Sequence, residues 1–334
     1  MRDEPRYRDI PLAIGGRSDR RGVIATCNYP ARAFGVRSAM ATAHALKLCP
    51  QLTVIPGNMD KYRAVSKLIL SIYHSVTEKV EPLSLDEAYL DVTDSPLFQG
   101  SATRIAQMLR AEVEKQTGIT ISAGVAPNKF LAKIASDWKK PNGLFVITPD
   151  QVEEFVDQLP VKKLHGVGIK TAEKLFTLGI HTGRDIKQRQ LNELTEIFGQ
   201  FGHRLYELSR GIDTREVVSE RTRKSVSVEH TFAQDLASLD ACLAELPELL
   251  VELLSRFKKY EANQAIVGFF VKLKFNDFAQ TTAEQRATHF EPALFRDLMS
   301  EGFNRGDKPV RLLGVGFRLE DKEGVSFEQL SLWP

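Results

Sequence analysis

Cysteine is scarce in this chain, and nothing in its spacing puts it to use. The three cysteines, Cys27, Cys49 and Cys242, are odd in number and scattered. This excludes a disulfide framework and a cysteine-rich metal site, and it fits a reducing compartment. Histidine is also sparse, and no Ser-His-Asp or Cys-His spacing can be defended, so covalent nucleophilic catalysis has no support. No uninterrupted apolar run reaches membrane-spanning length. The opening Met1-Arg2-Asp3-Glu4-Pro5-Arg6 has no apolar signal region, so a cytoplasmic location is expected. Charge of one sign is missing as well. With a formal net charge of +2, overall charge gives almost no support for nucleic-acid binding, and any such claim must rest on local clusters. The sequence has no internal repeat and no low-complexity block.

What is present is ordinary material for packed domains. Hydrophobic content of 43% and charged content of 26% can support real cores, and 334 residues is long for one domain. Residues 1–56 read as short apolar strands (Leu12-Ala13-Ile14, Val23-Ile24-Ala25) broken by glycine and proline. Tyr62 to Lys79 has the stripe of an amphipathic helix, with Val65, Leu68, Ile69, Ile72 and Val76 on one face. Ser101 starts a second helix, Ile119 to Val125 reads as a buried strand, Asn128 to Trp138 as a helix, and Leu144 to Ile147 as a strand. An α+β sheet with helices on one face is expected for 57–148. Residues 149–213 read as helical, with glycine breaks at Gly166, Gly168, Gly179 and Gly202. The charged run 214–225 resembles a tether. Strands and helices alternate again over 226–322, before a short tail, 323–334.

Chemistry concentrates in Ser84-Leu85-Asp86-Glu87-Ala88-Tyr89-Leu90-Asp91. Apolar residues hold odd positions before the two acids and even positions after them, so a turn or bulge falls at Asp86-Glu87. At a kink the two carboxylates can converge, and hard divalent ions such as Mg²⁺ take such oxygen ligands. The plainer alternative is a solvated surface hairpin. Tyr29-Pro30-Ala31-Arg32 sets a phenol and a guanidinium three residues apart, suited to phosphate or to an ordinary turn. Lys140 precedes the turn Pro141-Asn142-Gly143 and reads either as a phosphate contact or as a solvated helix-end lysine.

Further on, Leu164-His165-Gly166-Val167-Gly168-Ile169-Lys170 reads as a helix-hairpin-helix whose exposed amides and Lys170 would cradle a DNA phosphate. A connection needing glycine only for geometry remains the alternative. In Val267 to Phe275, one face carries Phe269, Val271, Leu273 and Phe275 and the other carries Lys272 and Lys274. That pattern fits a basic sheet face along a phosphate backbone, extended by Arg223, Lys224, Arg256, Lys258 and Lys259, or equally an edge strand with protective lysines. The tail ends Gln329-Leu330-Ser331-Leu332-Trp333-Pro334, which would dock on the protein's own body or, as favoured, insert into a partner's pocket.

Taken together, Tyr29-Pro30-Ala31-Arg32, the Ser84 to Asp91 run, Ser122-Ala123-Gly124-Val125-Ala126 with Lys129-Phe130-Leu131-Ala132-Lys133, and Lys140-Pro141-Asn142-Gly143 occur in the order seen in Y-family translesion DNA polymerases. The chain resembles the bacterial DinB branch over essentially its whole length. The resemblance implies an α+β multidomain right hand with fingers (1–56), palm (57–148), helical thumb (149–213), linker (214–225), a separate α/β little finger (226–322) and a clamp-binding tail (323–334). It implies low-fidelity, template-directed copying past lesions, without proofreading, on primed DNA and deoxynucleoside triphosphates, by a monomer with no membrane association. Asp86 and Glu87 would be catalytic carboxylates holding two Mg²⁺ ions. Tyr29, Arg32 and Lys140 would contact the triphosphate. Gly166, Gly168, Lys170, Lys272 and Lys274 would contact DNA. Gln329, Leu330, Leu332 and Trp333 would bind the replication sliding clamp.

Against the family pattern, a first strand bearing a further metal-binding Asp and a following aromatic residue are not found. Met1-Arg2-Asp3-Glu4-Pro5 corresponds to family sequence beyond that strand. Met1 is therefore expected to be an internal methionine or the mark of a truncated gene, and the polypeptide as written is expected to have little polymerase activity. The competing reading is a non-catalytic DNA- and clamp-binding protein. A helix-hairpin-helix nuclease or glycosylase would explain the thumb but not the triphosphate residues.

Overall fold

The computed structural model describes residues 1–322, which divide into two compact units. One comprises residues 3–57 together with 221 onward, and the other residues 58–220.

The first unit opens with a three-stranded sheet. Its strands are β1 (Leu12–Gly15), β2 (Ile24–Cys27) and β3 (Thr53–Ile55), in the order β2-β1-β3, with β1 antiparallel to β2 and parallel to β3. The short helices α1 (Tyr29–Ala33) and α2 (Thr42–Leu48) lie between β2 and β3. A small core of Ala13, Ile24, Ala31, Val36, Ala45, Cys49 and Leu52 holds this segment. Cys27 and Cys49 are buried free thiols within it, used as small apolar groups.

The second unit starts with α3 (Met59–His74), capped by the Asn58 side chain accepting from the Lys61 N–H. This helix starts and stops earlier than the apolar stripe suggests, and Leu68 faces solvent. The hairpin β4 (Val80–Pro82) and β5 (Ala88–Leu90) follows, then α4 (Ala102–Thr117) with Ser101 as its cap. Ile72 and Val76 pack on Ile105, Leu109 and Val113, joining the α3 segment to α4. Next come β6 (Ala123–Val125), α5 (Lys129–Trp138) and β7 (Leu144–Val146). The expected long strand over 119–125 is only three residues. Among the described residues, β4-β5 and β6-β7 form two separate two-stranded ladders in place of one sheet.

Helices α6 (Val152–Gln158), α7 (Ile169–Thr177), α8 (Gly183–Lys187), α9 (Leu191–Phe198) and α10 (Gln200–Leu208) complete this unit. They share one core with α5, in which Phe130, Leu131 and Ile134 meet Leu159, Leu164, Leu175 and Leu205. Gly202 does not break a helix. It lies inside α10, where a Cβ would stand 2.1 Å from the Leu194 carbonyl oxygen, so it lets α10 press against α9. The break is at Gly199, with φ of +61°.

The remainder of the first unit is β8 (Ser225–Leu236), α11 (Leu239–Phe257), β9 (Gln264–Phe275), β10 (Gln280–Gln285), α12 (Pro292–Asn304) and β11 (Val310–Asp321). The sheet is antiparallel throughout, in the order β10-β9-β11-β8, and both helices cover one face. The strand β9 is interior, so the edge-strand alternative falls. Its alternation holds: Phe269, Val271, Leu273 and Phe275 are buried. Phe269 stands edge-on to both Phe295 and Phe317, with centroids 5.4 Å apart in each pair.

Candidate active site

The carboxylate pair lies where the strand period breaks. Pro82 pairs with Ala88 across the β4-β5 ladder, leaving residues 83–87 as the connecting loop. The Leu83 and Ser84 N–H groups both donate to the Glu87 carbonyl, at 2.9 and 3.3 Å. These residues leave the ladder, which accounts for the shift in side-chain parity. Asp86 is exposed and accepts from the Ser84 hydroxyl at 2.6 Å. Glu87 is half-buried, and its Oε1 accepts from Lys133 Nζ at 2.7 Å. The two acids thus engage different partners. Among the described residues, no group of three or more His, Cys, Asp or Glu side chains gathers as a metal cage.

Lys133 is presented by α5, whose first turn is fixed by Asn128 accepting from the Leu131 N–H at 3.0 Å. Partial burial works against the Lys133 charge, but the hydrogen bond and charge of Glu87 outweigh it and raise the pKa. Lys133 is therefore a firm cation against Glu87. Beyond α5, Lys140 Nζ pairs with Asp137 at 2.5 Å. The turn after it is tightly determined. Asn142 has φ of +48°, a Cβ on Gly143 would stand 1.8 Å from the Lys139 carbonyl oxygen, and the Arg110 guanidinium donates to both oxygens of Asn142.

Tyr29 and Arg32 belong to the other unit. Asn28 shapes their helix by accepting from the Leu12 and Ala31 N–H groups and donating to the Ile10 carbonyl. The three-residue spacing puts both side chains on one face of α1, with the Arg32 guanidinium carbon 5.9 Å from the Tyr29 ring centroid. Arg32 Nε donates to the Cys27 carbonyl at 3.2 Å, while Tyr29 is 52% exposed.

The glycine hairpin before α7 is open to solvent at Gly166, Gly168 and Lys170. The element preceding it is a three-residue 3₁₀ turn, Val161–Lys163, where the pattern suggests a full helix. Gly166 needs to be glycine, with φ of +89° and a Cβ that would meet the Phe201 ring at 2.8 Å. Gly168 caps α7 at an ordinary φ of −84°, and a Cβ there would meet nothing.

On the C-terminal sheet, Lys272 and Lys274 face away from the core as expected, but Lys272 is neutralised by Glu229 at 2.9 and 3.1 Å. Arg256 lies on α11, on the helix-covered side, where it bonds the Ser227 carbonyl and Glu252. It does not extend a basic open face. Gln329, Leu330, Leu332 and Trp333 lie outside the described residues.

A second cluster has little signature in the sequence. Lys129, also on α5, forms a short, buried ion pair with Glu81 of β4 and donates to the Glu216 carbonyl at 2.8 Å. Glu81 also accepts from the Val218 N–H at 3.0 Å. Beside it, Asp213 accepts from the Phe130 N–H and from Arg204 and Arg215. The run read as a tether is therefore held against α5 and β4 as far as residue 219, where Ser219 donates to the Glu78 carbonyl. The one available hint was the i, i+4 spacing of Lys129 and Lys133.

Residues 1–137 match the impB/mucB/samB family, residues 223–332 its C-terminal domain, and residues 162–213 the thumb domain of DNA polymerase-iota. The chain is 57% identical to the DNA polymerase IV proteins of Ectopseudomonas mendocina and of Pseudomonas fluorescens, over 100% of this chain and 94% of each relative. A solved Y-family chimera of the polymerases Dbh and Dpo4 superposes with a TM-score of 0.85 at 30% identity, covering 94% of this chain and 93% of that one. The crystal structure of DinB from Sulfolobus solfataricus gives a TM-score of 0.63 at 29% identity, covering 95% and 93%. These relatives support a polymerase over the non-catalytic alternative. The chain belongs to the Y-family of translesion DNA polymerases, in its DNA polymerase IV (DinB) branch.

Proposed function

We propose that Asp86 and Glu87 hold the metal ions for nucleotidyl transfer, that Tyr29, Arg32 and Lys140 bind the incoming triphosphate, and that Lys133 holds the Glu87 side chain in place. The observation that carries this reading is the loop 83–87, which presents one open and one half-open carboxylate beside a lysine cation. The donor set fits a hard divalent ion such as Mg²⁺, which is commonly held by one or two carboxylates, with substrate phosphates and water completing its shell. Two such ions, when bound, supply charge neutralisation for the triphosphate and acidify the primer 3′-hydroxyl.

The side chains do the positioning. Lys133 sets its ammonium beside the Glu87 carboxylate and limits that side chain's rotation. The guanidinium fork of Arg32 suits the non-bridging oxygens of a phosphate, and Tyr29 offers a hydroxyl donor on the same helical face. Lys140, exposed and paired among the described residues with its neighbour Asp137, can exchange that carboxylate for a phosphate at small cost. The template partner is primed DNA, in keeping with a solved relative described as an insertion ternary complex of Dbh polymerase. The exposed hairpin at Gly166 and Gly168 with Lys170, and the outer face of the sheet at Lys272 and Lys274, are the DNA-backbone contacts of this reading. Gln329, Leu330, Leu332 and Trp333 form its sliding-clamp peptide, and the working species is a monomer.

The test is primer extension with Mg²⁺ and deoxynucleoside triphosphates, comparing Asp86→Asn and Glu87→Gln with their parent, both in this chain and in a form extended upstream to the next in-frame start. Several kcal/mol of charge stabilisation are at stake, so each substitution should slow extension by about a thousandfold with little change in DNA affinity. Extension that survives Glu87→Gln would overturn the assignment.

A further inference from the structure

The turn that carries Lys140 is gripped from outside by one side chain. Arg110 is half-buried on α4, a helix fixed by Leu109 and Val113 in the α3-α4 core. Among the described residues Arg110 makes no ion pair. Its guanidinium is spent on the chain around β6 and β7. Nε donates to the Ile121 carbonyl at 3.2 Å, and Nη2 donates to the Asn142 carbonyl at 2.5 Å and to Asn142 Oδ1 at 2.7 Å. One planar fork thus ties the segment entering β6 to the turn entering β7, at the end where Ala123 pairs with Leu144.

The two halves of that turn are held differently. The Gly143 N–H donates to Ser122 Oγ at 3.2 Å, and the Gly143 carbonyl accepts from the Ala123 N–H at 2.9 Å. Those bonds fix the half next to β7. The half next to Lys140 depends on Asn142, which is exposed and left-handed, with φ of +48°. Its hold is the Arg110 fork. Pro141, stiff at φ, passes that hold back to Lys140. The other restraint on Lys140, its pair with Asp137, is exposed and worth little. An ammonium in place of the guanidinium could not serve three acceptors in one plane.

We propose that Arg110 is a positioning residue for nucleotide binding, which holds the turn 141–143 so that Lys140 is aimed before the substrate arrives. This rests on the reading that Lys140 contacts the triphosphate. Arg110 acts through Lys140 alone. Without the fork, Lys140 samples many positions, and ordering it falls on the binding step.

The experiment measures the Kd of the template-matched deoxynucleoside triphosphate with Mg²⁺, by equilibrium dialysis. It uses the full chain on primed DNA whose primer ends in a dideoxynucleotide, so that no bond forms. Arg110→Gln should weaken triphosphate binding by about tenfold, the ordering cost of one long side chain, with DNA affinity unchanged. Arg110→Lys keeps the charge but not the fork, and should be nearly as weak. Asn142→Gly keeps the left-handed turn without strain and removes only the Oδ1 acceptor, so it stays folded and should lose about threefold. In a Lys140→Met background none of the three changes should weaken binding further. Wild-type affinity in both Arg110→Gln and Asn142→Gly would overturn the proposal. So would full recovery by Arg110→Lys, which would make the effect one of charge, or a loss that persists once Lys140 is methionine. Lys140→Met binding as tightly as wild type would instead overturn the assignment of Lys140, and a wild-type chain that binds no triphosphate would overturn the nucleotide site itself.

Discussion

Replacing Lys129 with methionine removes the charge from the most deeply buried ion pair among the described residues while keeping the length of the side chain. Lys129 is 6% exposed and Glu81 is fully buried. Taking one partner from a buried pair typically costs about 3–5 kcal/mol, because the remaining charge is left facing a low dielectric. Here the Val218 N–H still donates to Glu81, and the methionine chain recovers some packing, which places the loss near the lower end, about 3 kcal/mol. Trp138 reports on this unit, since its ring lies 5.7 Å from Phe145 and 5.0 Å from Phe155. Urea unfolding followed by its fluorescence should show the midpoint lowered by roughly 1–1.5 M, at a slope of about 2–3 kcal/mol per molar. Removing both charges, in Lys129→Met with Glu81→Met, should cost less than the single change, since the Val218 and Glu216 main-chain groups then lose partners but neither charge of the pair is left behind. The same loss should free the segment 213–219, so trypsin should cut sooner at Arg221 and Arg223. A midpoint within about 0.3 M of wild type, or a double variant weaker than Lys129→Met, would refute the reasoning.

Three further outcomes follow from the geometry. Burial would raise the Asp213 pKa, but hydrogen bonds and charge from Arg215 and Arg204 outweigh it and hold the carboxyl well below the usual carboxylate range. A lowered folded-state pKa gives stability that is present above the unfolded value near 4 and is lost as pH falls below it, so the urea midpoint should drop between pH 5 and 3, and Asp213→Asn should flatten that slope. Gly143→Ala puts a methyl 1.8 Å from the Lys139 carbonyl oxygen and must displace the turn after Lys140, so it should cost about 2 kcal/mol or more and raise KM for the triphosphate in primer extension. Burial pushes the Cys242 thiol up to about 12, so iodoacetamide at pH 8 should label it only when urea unfolds the chain.

Local physics was the legible part of this molecule. Ser101 and Asn128 announce their helices because a short polar side chain satisfies an amide that would otherwise be orphaned, and both bonds are present. The period of β9 was legible because one face must be buried. The Asp86-Glu87 turn was legible because five residues outside a ladder change the parity of everything after them. Gly202 was misread because glycine has two uses, ending a helix or letting two helices touch, and only the neighbour Leu194 decides which. The basic sheet face was half-misread because the partner of Lys272 is 43 residues away, across the strand register.

The tether shows most clearly why the remainder was hidden. Its charges suggest solvent, yet what binds it to α5 and β4 is largely main chain: the Glu216 carbonyl accepts from Lys129, and the Val218 N–H donates to Glu81. Every residue carries such groups, so they leave no mark in a sequence. Their partners, a lone Glu in a strand and a lone Lys in a first helical turn, look like surface residues until the backbone that buries them is in place. The segment leaving α10 is therefore anchored by the helix that also presents Lys133 to Glu87, and a change at Lys129 should reach the loop 83–87 and the tether together.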